Sequence, residues 1–283
     1  MKNTTNTTNK TNRTNRTNLT NSTIYFCLFL IIISIVPTLA AADETYRVEK
    51  FWPVLLQPWY FNHPEGVAID HNGNIYVTDT GNNRVQKFNA DSFLITTWGT
   101  EGTGNSQFKN PSGIAVDAAG SVYIADTDNY RVQKFNANGE YLAQWGEVGS
   151  GNGQFAQTKG IAVDSSGNVY VTDDGLSIIN GDSRIQKFTS EGQFLKKWGT
   201  FGTGLGEFNQ PYGIAISPNN DIYVADYGND RIQKFNSSGS FLTTWGSFGE
   251  GDGQFIEPNR VAVDSRGNVY VADSGNNRVQ KFS

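Results

Sequence analysis

The stretch DTGNNRVQKF at residues 79–88 returns as DTDNYRVQKF at 126–135, DYGNDRIQKF at 226–235 and DSGNNRVQKF at 273–282. A lengthened copy, DDGLSIINGDSRIQKF, occupies 173–188. Phe61, Phe108, Phe155, Phe208 and Phe255 open the units around these copies, at spacings of 47, 47, 53 and 47 residues. A six-residue insertion within 174–183 accounts for the long spacing. Self-similarity at such a period marks a repeat architecture.

Outward from the phrase, each unit reads as strand, turn, strand, turn. GVAID (66–70) is followed by HNG and then NIYVTD (74–79). GNN leads into RVQKF (84–88), a polar turn leads to FLITTW (93–98), and the Gly-rich crossing GTEGTGNSQ runs to the next unit. These four short β-rich runs are bounded by Gly, Asn and Asp, and nothing in them has helical period. Four-stranded units repeated in this way predict an all-β fold, a five-bladed β-propeller of antiparallel blades. The last unit stops at RVQKFS, short of a fourth strand. YRVEKFW (46–52) places Trp52 nine residues before Phe61, against ten from Trp98 to Phe108. It is therefore expected to close the ring as the missing strand, leaving no open edge. A six-bladed or incomplete ring is the alternative.

GIAVDSSGNVYVTD (160–173) and DSGNNRVQKF (273–282) resemble the NHL repeat, over residues 61–283. The resemblance implies a propeller, often six-bladed, used as an interaction platform. Such platforms include RNA-binding and extracellular sensor domains, and a few relatives are metal-dependent lyases or lactonases. Three positions depart from the pattern. Arg260 replaces the Gly of 66, 113, 160 and 213, Thr158 replaces a Pro, and Ser217 replaces the Asp of 70, 117, 164 and 264. These departures are expected to point to a site.

Residues 1–23 read as an Asn/Thr-rich leader, expected to be disordered, whose only charges are Lys2, Lys10, Arg13 and Arg16. The apolar run and small-residue exit of 24–42 read as a secretory signal, cleaved near Ala40–Ala42 or kept as a membrane anchor. Residues 43–60 are expected to form the closing strand and linker. With basic charge upstream and Asp43 and Glu44 downstream, the remainder is expected outside, secreted or on the cell surface. That exported part carries 18 basic and 27 acidic residues, a net of −9, which opposes nucleic acid as a partner. Cys27, the single cysteine, lies in the apolar run, so no disulfide or thiolate chemistry is available beyond it. Asn236-Ser-Ser is a sequon in the exported part. A monomer is expected.

The recurring pairs Asp79/Arg84, Asp126/Arg131, Asp173/Arg184, Asp226/Arg231 and Asp273/Arg278 read as structural turns. The Asp is expected to accept backbone N–H groups of the turn it begins, with the Arg as a charged second partner. Fivefold copies spread around a ring do not converge on one reacting centre. The Asp-x-x-Gly copies read as hairpin turns with Gly at positive φ, and the crossings open no helix, so they are not phosphate loops.

Chemistry is sought where the copies disagree. Two residues before each first-strand aliphatic stand Glu65, Ser112, Lys159, Tyr212 and Asn259, with Arg260 beside the last. Adjacent loops add Tyr130, Tyr227 and Asp230, and the insertion Leu176–Asp182 is expected above the same end. Varied polar and aromatic side chains around one mouth fit a ligand-binding rim. The expected function is a non-catalytic binding module for a protein, peptide or cell-surface carbohydrate, with no cofactor and no metal. The alternative is a metal-dependent lyase or lactonase, for which Glu65 with Asp230 is the available oxygen-ligand pair. His63 and His71 fall at opposite ends of one strand and cannot share a metal. A surface-layer component completes the range.

Overall fold

The middle two strands of every unit carry aliphatic residues on both faces, and a strand can keep both faces apolar only when it is covered on both. The computed structural model, which describes residues 60–175 and 183–283, supplies that cover by stacking blades. In blade 1 the strands Pro64–Ile69, Ile75–Asp79, Arg84–Phe88 and Leu94–Trp98 are hydrogen-bonded in that order, all antiparallel. Blades 2 to 4 repeat this arrangement, and blade 5 shows three strands among the described residues, Pro258–Val263, Val269–Asp273 and Arg278–Phe282. Five blades thus follow one another around the ring, as the repeat predicts. Every residue of Ile75–Asp79 is buried. The leader, the apolar run, the closing strand expected over 46–52 and the insertion Leu176–Asp182 lie outside the described residues.

Apolar clusters fill the junctions. Tyr76 and Val85 of blade 1 pack with Ile114, Val122, Ile124 and Phe135 of blade 2, and Trp98 reaches Phe135 at 5.9 Å between centroids. Equivalent clusters occupy the next three junctions. The inner strands come closest where the repeat keeps glycine. A Cβ on Gly113 would lie 2.6 Å from the Lys159 carbonyl oxygen, and one on Gly213 would lie 2.7 Å from Arg260 Cα. Hydroxyls tie the same strands, with Thr78 Oγ1 donating to Ser112 O and Thr172 Oγ1 to Tyr212 O, both at 2.7 Å.

The Asp-Arg phrase is structural, but its wiring differs from the expected one. Asp79 Oδ1 accepts the N–H of Asn62, seventeen residues earlier in the lead-in loop, rather than an N–H of its own turn. Asp126, Asp173, Asp226 and Asp273 accept Lys109, Ala156, Asn209 and Ile256 N–H in the same way at 2.8 Å. The other oxygen takes the Arg Nε, and the rest of the guanidinium binds crossing carbonyls. Arg131, for example, donates to Thr103, Gly104 and Gln107 oxygens at 2.8 Å. In blades 1, 2 and 4 the turn is a short 3-10 segment whose N–H groups point elsewhere, so the carboxylate is free to hold the lead-in loop.

At the other end of blades 1, 2, 3 and 5 the Asp-x-x-Gly turn forms as expected. Asp164 accepts Ser166 N, Asn168 N, Asn168 Nδ2 and the Tyr170 hydroxyl, with Gly167 at φ +81°. Ser217, expected to mark a site, instead has its lost charge restored within this turn. Asp221 pairs with Lys234 at 2.8 Å, as Asp164 pairs with Lys187 at 3.6 Å in blade 3.

The junction of blade 5 with blade 1 is built differently. Val67, whose equivalents Ile114 and Ile161 are buried, is 46% exposed, and Ile69, whose equivalents Val116 and Val163 are half-buried, is 51% exposed, as is Val279. Arg260, standing where the other blades have glycine, crosses this seam to Glu65 at 3.5 Å. Tyr60 O accepts Arg84 Nη2 at 2.9 Å, as Gln107 O accepts Arg131 Nη2. Residue 60 therefore enters blade 1 as the end of a crossing does. Deleting 43–52 is accordingly expected to lower the melting temperature by several degrees and to broaden the transition. An unchanged melt would show that those residues do not close the ring.

Candidate functional site

Lead-in loops, the 3-10 turns after the second strands and the crossings all lie at one end of the blades, and the varied rim positions open there. On one side of this mouth the side chains form a continuous stack. Lys159 Nζ lies 5.1 Å from the centroid of Tyr212. The ring of Tyr212 stacks on Tyr227 at 4.7 Å and 26°. Burial first, and then the neighbouring Glu257 carboxylate, raise the pKa of the Tyr227 hydroxyl well above the ordinary phenol value. Both faces of Tyr212 are thus covered, which fixes the ring without leaving it rotamers to lose on binding.

Lys159 ties this stack to the seam. Burial pulls its pKa down, Glu65, Asp174 and Asp128 push it back up, and Arg260 lowers it again. One half-buried ammonium is therefore under the influence of charges from blades 1, 2, 3 and 5. Tyr212 is raised by burial first, then by Asp174 and Glu65, with Arg260 opposing. Glu65 remains exposed and holds Arg260 at a long 3.5 Å, a pairing that solvent and ligand can both reach. Asn259 gives its carbonyl oxygen to Arg260 Nη1 at 3.1 Å, while its own Oδ1 is buried without a hydrogen-bond partner.

Three rim residues expected to meet a ligand serve the blade junctions instead. Ser112 is buried, and its Oγ donates to Lys159 O at 2.8 Å. It replaces the bond that Thr78 and Thr172 make elsewhere, because blade 2 has Ala125 at their position. Asp230 Oδ1 accepts Glu257 N at 2.8 Å, as Asn83 Oδ1 accepts Asn110 N, so it joins blade 4 to blade 5. Tyr130 takes the left-handed cap position at φ 55° and packs against the blade 2–3 core. Lys159, Tyr212 and Tyr227 form the stack, Glu65 and Arg260 the seam pair, and Asn259 stands beside them. Asp174, Asp128 and Glu257 join this group although the sequence reading did not select them. The Asp173-Asp174 doublet, where other blades have one Asp, was the available signal.

The alternative chemistry asks for convergent metal ligands. Among the described residues no three His, Cys, Asp or Glu side chains stand close enough to hold an ion. His63 and His71 flank opposite ends of Pro64–Ile69, and His63 Nδ1 meets Asn62 Oδ1 at 2.7 Å. Glu65 pairs with Arg260 and Asp230 accepts Glu257 N, and among the described residues they are not part of any cluster of three such side chains. These residues do not fit a metal centre.

The family model of the NHL repeat matches residues 61–88, 108–135, 208–235 and 255–282, and a beta-propeller repeat matches 146–172. No curated protein matches the chain. Among solved structures, a chain of a nidogen/laminin complex is similar at TM-score 0.60 and 19% identity, covering 77% of this chain and 75% of that one. A gluconolactonase from Xanthomonas campestris is similar at TM-score 0.57 and 17% identity, covering 77% and 74%. Virginiamycin B lyase from Staphylococcus aureus is similar at TM-score 0.56 and 14% identity, covering 78% and 69%. At these identities the likeness is one of fold, shared by binding proteins and enzymes alike.

Proposed function

Because the chain is an NHL-repeat β-propeller, a scaffold that fixes architecture and leaves activity to the loops, we propose that it is a non-catalytic binding module whose mouth engages a protein, a peptide or a cell-surface glycan. The observation that carries this reading is the linked group of Lys159, Tyr212, Tyr227, Glu65 and Arg260 at the rim. Its members differ from blade to blade while the surrounding backbone repeats. Both charge signs and two aromatic rings are held in place before any ligand arrives, which reduces the ordering cost of binding. The signal-like 24–42 segment and the net negative charge support a partner outside the cell. Nucleic acid fits this charge poorly.

Lys159→Glu is the variant that tests the reading. Its side chain is half-buried above a ring and makes no bond to a blade junction, so the fold is expected to survive, with the melting temperature lowered by about 2–4 °C, the shift of a change near 1 kcal/mol, as the new carboxylate meets Glu65, Asp174 and Asp128. Capture of cell-envelope glycans or proteins by the full chain is expected to fall about tenfold, a change of about 1.4 kcal/mol. Undiminished capture in Lys159→Glu and Tyr212→Ala alike would reject the rim as the binding site. One equivalent of divalent metal copurifying with the chain would favour the enzymatic alternative.

A further inference from the structure

Around the rim, at the same end of the blades, the four crossings form an outer perimeter with an unusual composition. Residues 99–108, 146–155, 199–208 and 246–255 contain Glu101, Glu147, Glu207, Glu250 and Asp252 and no lysine or arginine. Three consecutive crossings also present large apolar side chains to solvent, namely Val148, Phe201 with Leu205, and Phe248. Phe248 is 71% exposed and Leu205 is 67% exposed, so neither contributes to the core.

These loops are rigid supports. Arg131, Arg184, Arg231 and Arg278 hold crossing carbonyls from beneath. Gln107, Gln154, Glu207 and Gln254 each accept an N–H from within their own crossing. A parallel bridge closes the last three crossings, Val148 to Phe155, Phe201 to Phe208 and Phe248 to Phe255. Position 101, the counterpart of Val148, Phe201 and Phe248, is Glu in the first crossing, so the backbone does not require an apolar residue there. The apolar groups are therefore a surface property of one arc, and exposed apolar groups in such an arc mark an interaction surface.

We propose that this arc docks a cationic, amphipathic polypeptide segment, with Val148, Phe201, Leu205 and Phe248 taking its apolar side chains and the crossing acids its lysines or arginines. The occupant is chosen by charge complementarity. The four crossings carry acids and no base of their own, and Lys197 Nζ reaches the second of them only at Ser150 O, 3.5 Å away, so they repel anionic partners and steer cationic ones. The guanidiniums beneath are already neutralised by the Asp of the recurring phrase. The proposal rests on the reading of this end as the binding end, and it assigns the perimeter rather than the rim.

The test measures binding of the full chain to three labelled short peptides, one alternating Lys and Leu, one Glu and Leu, one Lys and Ser. The Lys/Leu peptide is expected to bind, to weaken about tenfold between low and high salt as exposed charges are screened, and to beat both others. Phe201→Ser combined with Phe248→Ser is expected to weaken it about tenfold with an unchanged melt, since both rings are exposed. Glu250→Gln with Asp252→Asn is expected to reduce the salt dependence. Lys159→Glu and Tyr212→Ala should leave peptide binding intact, which separates the perimeter from the rim. No binding, equal binding of the Glu/Leu peptide, an unaffected phenylalanine double variant, or loss only in the rim variants would each overturn the proposal. The last of these would leave the rim reading standing.

Discussion

Gly113→Ala is expected to destabilise the protein by about 3 kcal/mol, the upper part of the range for overpacking a tight core. The glycine is there for space rather than for its conformational freedom. Its added Cβ would stand 2.6 Å from Lys159 O and 2.9 Å from Ile161 N, both backbone atoms of the next blade. Backbone in a central strand cannot swing aside as a lysine tip can, so the two inner strands must part. Parting them also stretches the Ser112 Oγ to Lys159 O bond, which closes the same junction. Arg260→Ala gives the opposite expectation, a loss of no more than about 1 kcal/mol, because that position faces the seam and its ion pair is partly exposed. Denaturant unfolding of both variants checks the pair. Equal losses would mean that the seam is packed as tightly as the other four junctions.

This contrast shows where the sequence was readable. The blades were legible because a strand buried on both faces must be apolar on both, and five copies state that pattern in register. Loops were less legible because a polar residue in a loop can serve a ligand or a neighbouring carbonyl, and composition alone does not distinguish them. Ser112 was read as rim but compensates for Ala125, which lacks the hydroxyl of Thr78. Asp230 was read as rim but holds the next lead-in loop. Ser217 was read as a departure of interest, and Asp221 four residues later already carried the compensating charge. For Ser112 and Ser217 a second substitution elsewhere in the same unit was the clue. Arg260 differs from these. Its glycine counterparts are required by close contact, so an arginine there announces, in sequence, a junction that does not close by the common rule.

Arg184→Met is expected to cost about 3–5 kcal/mol, the loss for stripping one partner from a buried ion pair, and the same change in the other four blades to cost progressively less. The five arginines make one bond in common, Nε to the phrase Asp at 2.6–2.9 Å. They differ in exposure, rising from 2% at Arg184 through Arg131, Arg231 and Arg84 to 29% at Arg278. Water can take over the bonds of Arg278, and its loss is expected near about 1 kcal/mol, the value for exposed pairs. At Arg184 water has no access, and Asp173 would be left buried with a charge. Burial already raises the Asp173 carboxyl above its ordinary value, with Arg184 the main opposing influence. Removing the arginine raises it further. A carboxyl whose folded pKa exceeds its unfolded value destabilises in full above the folded pKa, and the penalty is relieved as pH falls through it. The deficit of Arg184→Met relative to the parent is therefore expected to shrink as pH is lowered from 7 toward the ordinary carboxylate value of 3.8. Five equal losses would show that the ion pair, rather than its burial, sets the cost. A deficit independent of pH would show that Asp173 stays charged without its partner.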